Sequence, residues 1–349
     1  MKQITFMEGF KDWPTATWGN RNAAQALLTR FLDSRVLFNY APGGNSQQTI
    51  SETTIDGVVY RGIFLFTYGS WDVRNVIKFD IPKDPGKDRL HAGFRICATA
   101  ALDMTTPFIW IVVGSTLYSL GIPAVATGTT YYEVVYDPKD KKVHLYNNGV
   151  LLRSSAVLPA VPNSVNIGGN SGTVGNNRQW ITTDIYTGID SDYEEGAEHD
   201  VFGPITVDTC AVKDFIGQGY AATSGTIIDA LNALYIQGGT DGAVVMSPYD
   251  GTKGISSFDI GNAENILAAQ VSLNISKGIS SSAGIEFHLE DDQGNEFSSR
   301  KSVPVFTPNG TSYYNFILMK GLDDQPLTFK NLEKVKLSVR SIPVRDVNK

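Results

Sequence analysis

Apolar and polar residues alternate with a period of two through most of this chain. In RLHAGFRICATA (89–100), Leu90, Ala92, Phe94, Ile96 and Ala98 share one face, while His91, Arg95 and Cys97 share the other. That is a strand with one packed face and one more polar face. TYYEVVYDPKDKKVHLYNNGVLLR (130–153) predicts two strands around an Asp-Pro-Lys-Asp turn, then an Asn-Asn-Gly turn and a third short strand. In this meander Val135, Val143, Leu145, Val150 and Leu152 are available for a core, and Lys141, Lys142 and Asn147 for solvent. Tyr131 and Tyr132 are neighbours on one strand, so one is expected to face outward. Further strands are predicted at about 4–10, 57–67, 71–80 and 107–120. The best helical pattern is NRNAAQALLTRFLD (20–33), capped by Asn20 or Asn22, with Ala23, Leu27, Leu28 and Phe31 near one face.

The pattern changes character further along. Residues 162–190 hold a Gly/Asn-rich loop between two strands, and SDYEEGAEHD (191–200) is an acidic surface loop. Residues 211–242 are rich in Gly, Ala, Ser and Thr, with a short helix near Ile227 to Leu234, and read as an interdomain connection. A second alternating series then runs through 264–276, 283–291, 301–306, 311–319 and 333–342. The expectation is an all-β chain: a β-sandwich domain over 1–210, a linker over 211–242, and a second, smaller β-sandwich over 243–349.

Composition agrees with that expectation and removes some partners. The chain has 349 residues, 42% of them hydrophobic, with 34 Gly, 15 Tyr and 17 Phe, which favours strands and turns over long helices. A formal net charge of -7 argues against a nucleic-acid partner, since such binding neutralises phosphates with Lys and Arg. The start, MKQITFMEGFKDW, lacks the apolar run of a secretory signal, and no stretch approaches the roughly 18 apolar residues of a membrane span. Synthesis in a cytoplasm without membrane insertion is expected. Cys97 and Cys210 are too few for a metal cluster or a disulfide framework; Cys97 reads as a buried thiol, with a bridge to Cys210 as the alternative.

Candidate chemistry is sparse. The nucleophile elbow, the P-loop and the zinc-helix motif are all missing, and GQGYAA (217–222) imitates a dinucleotide fingerprint without the helix that it needs. Of the four histidines, His91, His144 and His288 fall on strands, where packing roles are expected. The acidic group from Asp184 to Asp200 offers hard oxygen ligands, and Asp190, Asp192 and Glu194 are the candidate calcium ligands, against the plainer reading of a solvated loop. Paired carboxylates also admit glycoside hydrolysis, but the E-x-D-x-x-E strand pattern of jelly-roll glucanases is missing. Trp110, inside FIWIVV, and Trp180 read as core. Tyr132 and Tyr146 are the candidate sugar-stacking residues. No catalytic residue and no cofactor other than calcium is expected.

The VHLYNNGVLL hairpin resembles the concanavalin or laminin-G jelly roll. WITTDIYTGIDSDYEEGAEHDVFGPITVDT (180–209) resembles a stretch of tailed-bacteriophage virion proteins, in which an aspartate–isoleucine/leucine–tyrosine strand precedes a polar loop and a phenylalanine–leucine–glycine strand. Asp184, Ile185 and Tyr186 match the first part; Phe202, Gly203, Ile205 and Val207 match the second, with Val201 before Phe202 and no leucine after it. ILAAQVSLNISKGISSSAGIEFHLE (266–290) resembles later strands of the same proteins, whereas the first 50 residues match poorly apart from MEGF. The resemblance implies a jelly-roll domain in a structural virion component with no enzymatic residues. Its partners would be other virion proteins and copies of itself, and its site of assembly the cytoplasm of a host bacterium. Two other classes stay open: a lectin-like module contacting host surface glycans and, behind it, a glycoside hydrolase.

Overall fold

Strands with one apolar face are stable only when such faces meet. The computed structural model describes residues 2–11, 36–37, 47–67, 77–99, 109–120, 127–167, 178–191, 193, 201–232, 244–246, 253–258, 266–276, 283–296, 301–303, 311–321 and 325–343. They belong to two units, Met1–Thr209 and Cys210–Lys349. The helix expected over 20–33 lies outside the described residues.

The first unit contains β1 (Lys2–Glu8), β2 (Val36–Leu37), β3 (Gln47–Ile55), β4 (Val58–Thr67), β5 (Ile77–Asp80), β6 (Arg89–Ala98) and β7 (Ile109–Val113). There follow β8 (Thr116–Ser119), β9 (Gly128–Asp137), β10 (Lys142–Asn147), β11 (Val150–Ser154), β12 (Ser164–Ile167) and β13 (Arg178–Asp190). An eight-stranded sheet runs β11-β10-β9-β6-β13-β4-β3, with β1 also paired to β13, and a five-stranded sheet runs β2-β5-β12-β7-β8. Every pairing is antiparallel, and β6 and β12 sit between strands distant in sequence, as in a jelly roll.

The core lies between the sheets. In β7, buried Ile109, Ile111 and Val113 alternate with partly buried Trp110 and Val112, while all four residues of the neighbouring strand β12 are buried. Phe79 of β5 stacks on Phe94 of β6 at 6.3 Å, and Phe94 lies 5.9 Å from the Tyr132 ring. The eight-stranded sheet departs from the expected one packed and one polar face. Tyr131 through Asp137 and Val143 through Tyr146 are all buried, so both of its faces are covered. Val150, assigned to the core by alternation, is 70% exposed on the edge strand β11, which among the described strands pairs only with β10.

Strand β13 changes partner part-way. Residues 178–182 pair with β4 and residues 185–190 with β1, and between them the ladder with β6 slips at a bulge where Asp184 takes φ 49°. The outer end of the β3–β4 hairpin, released from β13, packs Ile55 and Tyr60 onto Cys97 and Ile181. Cys97 is thereby a buried thiol, and no disulfide joins it to Cys210.

The second unit contains β14 (Val212–Ile216), β15 (Tyr220–Ala222), α1 (Ile227–Asn232), β16 (Val244–Met246), β17 (Gly254–Phe258), β18 (Ala269–Ser276) and β19 (Ala283–Glu290). It ends with β20 (Lys301–Val303), β21 (Thr311–Leu318), α2 (Phe329–Leu332) and β22 (Lys336–Pro343). A sheet β14-β17-β22-β19-β20 and a pair β18-β21 enclose Phe287, Leu289, Phe316, Leu318 and Leu337. The stretch 211–242, expected to link two domains, instead supplies β14, β15 and α1 to this unit. Its flexible-looking composition is overridden by pairing of β14 with β17 and of β15 with β16. The short helix occurs where expected, over Ile227–Asn232.

One position tests the close packing of the first unit. A Cβ at Gly93 would lie 1.9 Å from Tyr186 Cε1 and 2.5 Å from the Tyr131 hydroxyl, beneath two rings stacked 6.4 Å apart. Gly93→Ala is expected to lower stability by about 1–3 kcal/mol through overpacking. A urea midpoint equal to that of the parent would show that the rings move aside freely.

Candidate functional site

A cluster of charged side chains lies on the outer face of the eight-stranded sheet, away from the core. Register places Arg89, His91 and Arg95 of β6, Glu133 and Asp137 of β9, and Asp184 of β13 together there. All but Arg95 are buried. A buried charge is stable only when paired and hydrogen-bonded, and three sets of contacts meet that condition.

Glu133 accepts from the Phe202 N–H (3.1 Å) and the Gly203 N–H (3.0 Å), and His91 Nδ1 lies 2.8 Å from its Oε1. Asp184 accepts from Arg95 Nε (2.6 Å) and from the Val207 N–H (3.0 Å). Arg95 also donates to the Ile205 carbonyl at 3.1 Å. The segment 201–207 is therefore a strap across the sheet, held at both ends by carboxylates. Phe202 plugs it edge-on against His91 (5.1 Å) and Tyr186 (5.4 Å). Gly188 leaves room for that ring, since a Cβ there would sit 2.8 Å from Phe202 Cε2. The third set surrounds Asp137, which accepts from Arg89 Nε (2.7 Å), the Tyr193 hydroxyl (2.7 Å) and the Lys139 N–H (2.9 Å). The Arg89 guanidinium lies 3.6 Å from the Tyr193 ring centroid.

These contacts set the protonation states. Burial alone would raise the Asp137 carboxyl, but hydrogen bonds from Tyr193, Arg89 and the Lys139 N–H, with the charge of Arg89, hold it below the ordinary value. Burial pushes the Tyr131 and Tyr186 hydroxyls well up, and the charge of Glu133 adds to it.

The proposed sugar-stacking residues fall inside this architecture. Tyr132 is 2% exposed and Tyr146 3%, so neither presents a ring to solvent. Tyr132 points into the core against Phe94, while Tyr131 points outward beneath the strap. Adjacent tyrosines are both buried because both faces of their strand are covered. Trp110, read as core, is partly buried on β7, opposite the buried Asn166 and the exposed Ser119. Of the calcium candidates, Asp190 is buried at the end of β13, and Asp192 and Glu194 lie outside the described residues. Among the described residues, no group of three His, Cys, Asp or Glu is placed to hold a metal ion. Glu133, Asp137, His91 and Arg95 escaped the sequence reading as a set. Their signal was complementary charge at alternate positions of strands that become neighbours.

No protein-family model matches the sequence, and no curated protein does. Among solved structures, a sialidase is 13% identical over 42% of this chain and 16% of its own length, with a TM-score of 0.29. Domain 4 of an extracellular arabinanase from Geobacillus stearothermophilus, in complex with arabinotriose, is 14% identical over 54% of this chain and 93% of its own, with a TM-score of 0.29. Arcelin-5, a lectin-like defence protein from Phaseolus vulgaris, is 9% identical over 54% and 97%, with a TM-score of 0.23. Likenesses at these TM-scores carry no argument about this chain.

Two outcomes follow for the strap. Glu133→Gln should destabilise by about 3 kcal/mol, the scale of breaking a buried charged contact, and speed amide exchange at Phe202 and Gly203. Asp184→Asn should act first at Val207; hydrogen exchange by mass spectrometry separates the two, and unchanged exchange at all three amides would refute the clamp. Because the Asp137 pKa is lowered in the folded state, its contribution is complete above the ordinary carboxylate value of about 4. It is lost as pH falls through the lower folded value. The melting temperature should therefore fall between about pH 4 and pH 2 more steeply in the parent than in Asp137→Asn.

Proposed function

We propose that this chain is a structural component of a tailed-bacteriophage particle that acts by contact and assembly. The supporting observation concerns the residues that carry the resemblance. Asp184, Tyr186, Phe202, Gly203, Ile205 and Val207 form the bulge, the plug and the strap that seal the outer face. What is shared is therefore an architectural device, held by the carboxylates Glu133 and Asp184, while Asp137 is engaged with Arg89 and Tyr193. Among the described residues no helix is long and apolar enough to cross a membrane.

Contact with neighbours is assigned to the tip of the β3–β4 hairpin. Its Asp56-Gly57 turn has both residues at positive φ (50° and 79°), the type I′ form, and presents Val58 and Val59 at 51% and 54% exposure. Replacing both valines by Asp should leave the melting temperature within about 2 °C, as for surface changes, and reduce incorporation into particles at least tenfold. Mass spectrometry of purified particles is the direct test; absence of the chain from them overturns the proposal.

A second reading, a lectin-like module contacting host surface glycans, is supported by Trp110. Its indole is partly exposed, with the exposed Ser119 opposite it on one side and Lys78 beyond the buried Asn166 on the other, which gives a stacking edge with polar groups near it. On a glycan array the parent should retain a sugar that Trp110→Ala does not. Signal at background for both proteins discards this reading.

A further inference from the structure

The edge hairpin β10–β11 carries a hydrogen-bonded relay that the assembly reading does not use. Ser154 and His144 are directly opposite across the hairpin. Ser154 Oγ lies 2.8 Å from His144 Nδ1, and His144 Nε2 lies 2.9 Å from Asp140 Oδ2. The other carboxylate oxygen of Asp140 accepts from the Lys142 N–H at 2.9 Å, which fixes its orientation. We propose that Ser154 is a base-activated nucleophile that takes acyl groups from small esters, with His144 as general base and Asp140 as the residue that positions it.

Four features of the hairpin favour this chemistry. First, a carboxylate only accepts hydrogen bonds, so Nε2 carries the imidazole proton and Nδ1 keeps the lone pair that takes the Ser154 proton. Second, burial lowers the affinity of His144 for a second proton, opposed by Asp140, so the ring is neutral and basic near pH 7. Third, access is divided: Ser154 is exposed while His144 is buried beneath it. Fourth, the Ser155 N–H bonds the Val143 carbonyl, so the Ser154 N–H points the other way, to the side of β11 on which no described strand pairs, where it can donate to a developing oxyanion.

A register slip between Leu145 and Tyr146 places an extra β11 residue, Leu152, just before the relay. The slip puts Leu151, 50% exposed, opposite Tyr146 and on the Ser154 face, as an apolar contact for a short acyl chain. In the first step Ser154 Oγ attacks the ester carbonyl carbon as its proton passes to His144 Nδ1. The bond to the alcohol oxygen then breaks, and the alcohol leaves with that proton. Water, deprotonated by the same nitrogen, attacks the acyl-serine, releases the carboxylic acid and restores Ser154.

The test uses the full chain with p-nitrophenyl acetate and, separately, a fluorophosphonate probe followed by peptide mapping. One adduct on Ser154 is expected, with loss of adduct and of at least nine-tenths of the esterase rate in Ser154→Ala. His144→Asn should lower the rate by roughly 10²–10⁴-fold. Charged groups around the imidazole are Asp140, Asp137 and Lys142. The parent rate should rise with pH to a plateau, with its midpoint below the ordinary histidine value, and Asp140→Asn should move that midpoint. If His144→Asn does not fold, the probe map on the parent decides alone. A Ser154→Ala rate equal to the parent's, or labelling spread over several serines, overturns the proposal and leaves the assembly reading untouched.

Discussion

Two carboxylates, Glu133 and Asp184, close the first unit on the side away from its core. An irregular segment laid over a sheet brings backbone N–H groups that no ladder satisfies, and burying one unpaired costs about 1–3 kcal/mol. A carboxylate answers this need well because each oxygen accepts independently. Glu133 takes the Phe202 and Gly203 amides, and Asp184 takes that of Val207. From β6, Arg95 balances the charge of Asp184, and His91 Nδ1 lies within hydrogen-bond distance of Glu133. Without these contacts the same carboxylates would resist burial and the strap would have no anchor.

Backbone geometry makes the closure possible. Asp184 reaches Val207 from a bulge, and the same bulge divides the edge of β13 between β4 and β1. Gly93 and Gly188 leave the space that the Tyr131–Tyr186 stack and the Phe202 ring fill. Gly203 turns the strap at φ 79°, a conformation that costs glycine little, and its N–H is one of the two on Glu133. A sheet that would have had one wet face becomes buried on both. This explains how Tyr131 and Tyr132, which leave their strand on opposite sides, are both hidden.

Much of the strand framework was legible from periodicity. The alternation in 89–98 and the turn residues at 147–149 correspond to β6 and to the β10–β11 hairpin. Alternation separates two faces of a strand; it does not say what covers either. The partner of Glu133 is about 70 residues away, so the burial of Tyr131 and Tyr146 was out of reach of local pattern. Composition misled at 211–242 for a related reason. Gly, Ala, Ser and Thr are typical of linkers, but pairing with 244–246 and 254–258 decides the outcome there. Asp140 and His144 stand four apart, yet Ser154 joins them only through the hairpin register.

Sealing the outer face also limits where the eight-stranded sheet can act. A side chain that anchors the strap cannot release it to meet a ligand without exposing the amides it satisfies. Glu133 and Asp184 are committed in this way to the strap. Recognition and reactivity are left to hairpin tips and open edges, where the ladder ends and side chains stand clear. Val58 and Val59 at one tip, and Ser154 on the opposite edge strand, occupy such places. In the five-stranded sheet, Trp110 keeps part of its surface in reach of solvent while its neighbour Asn166 is buried.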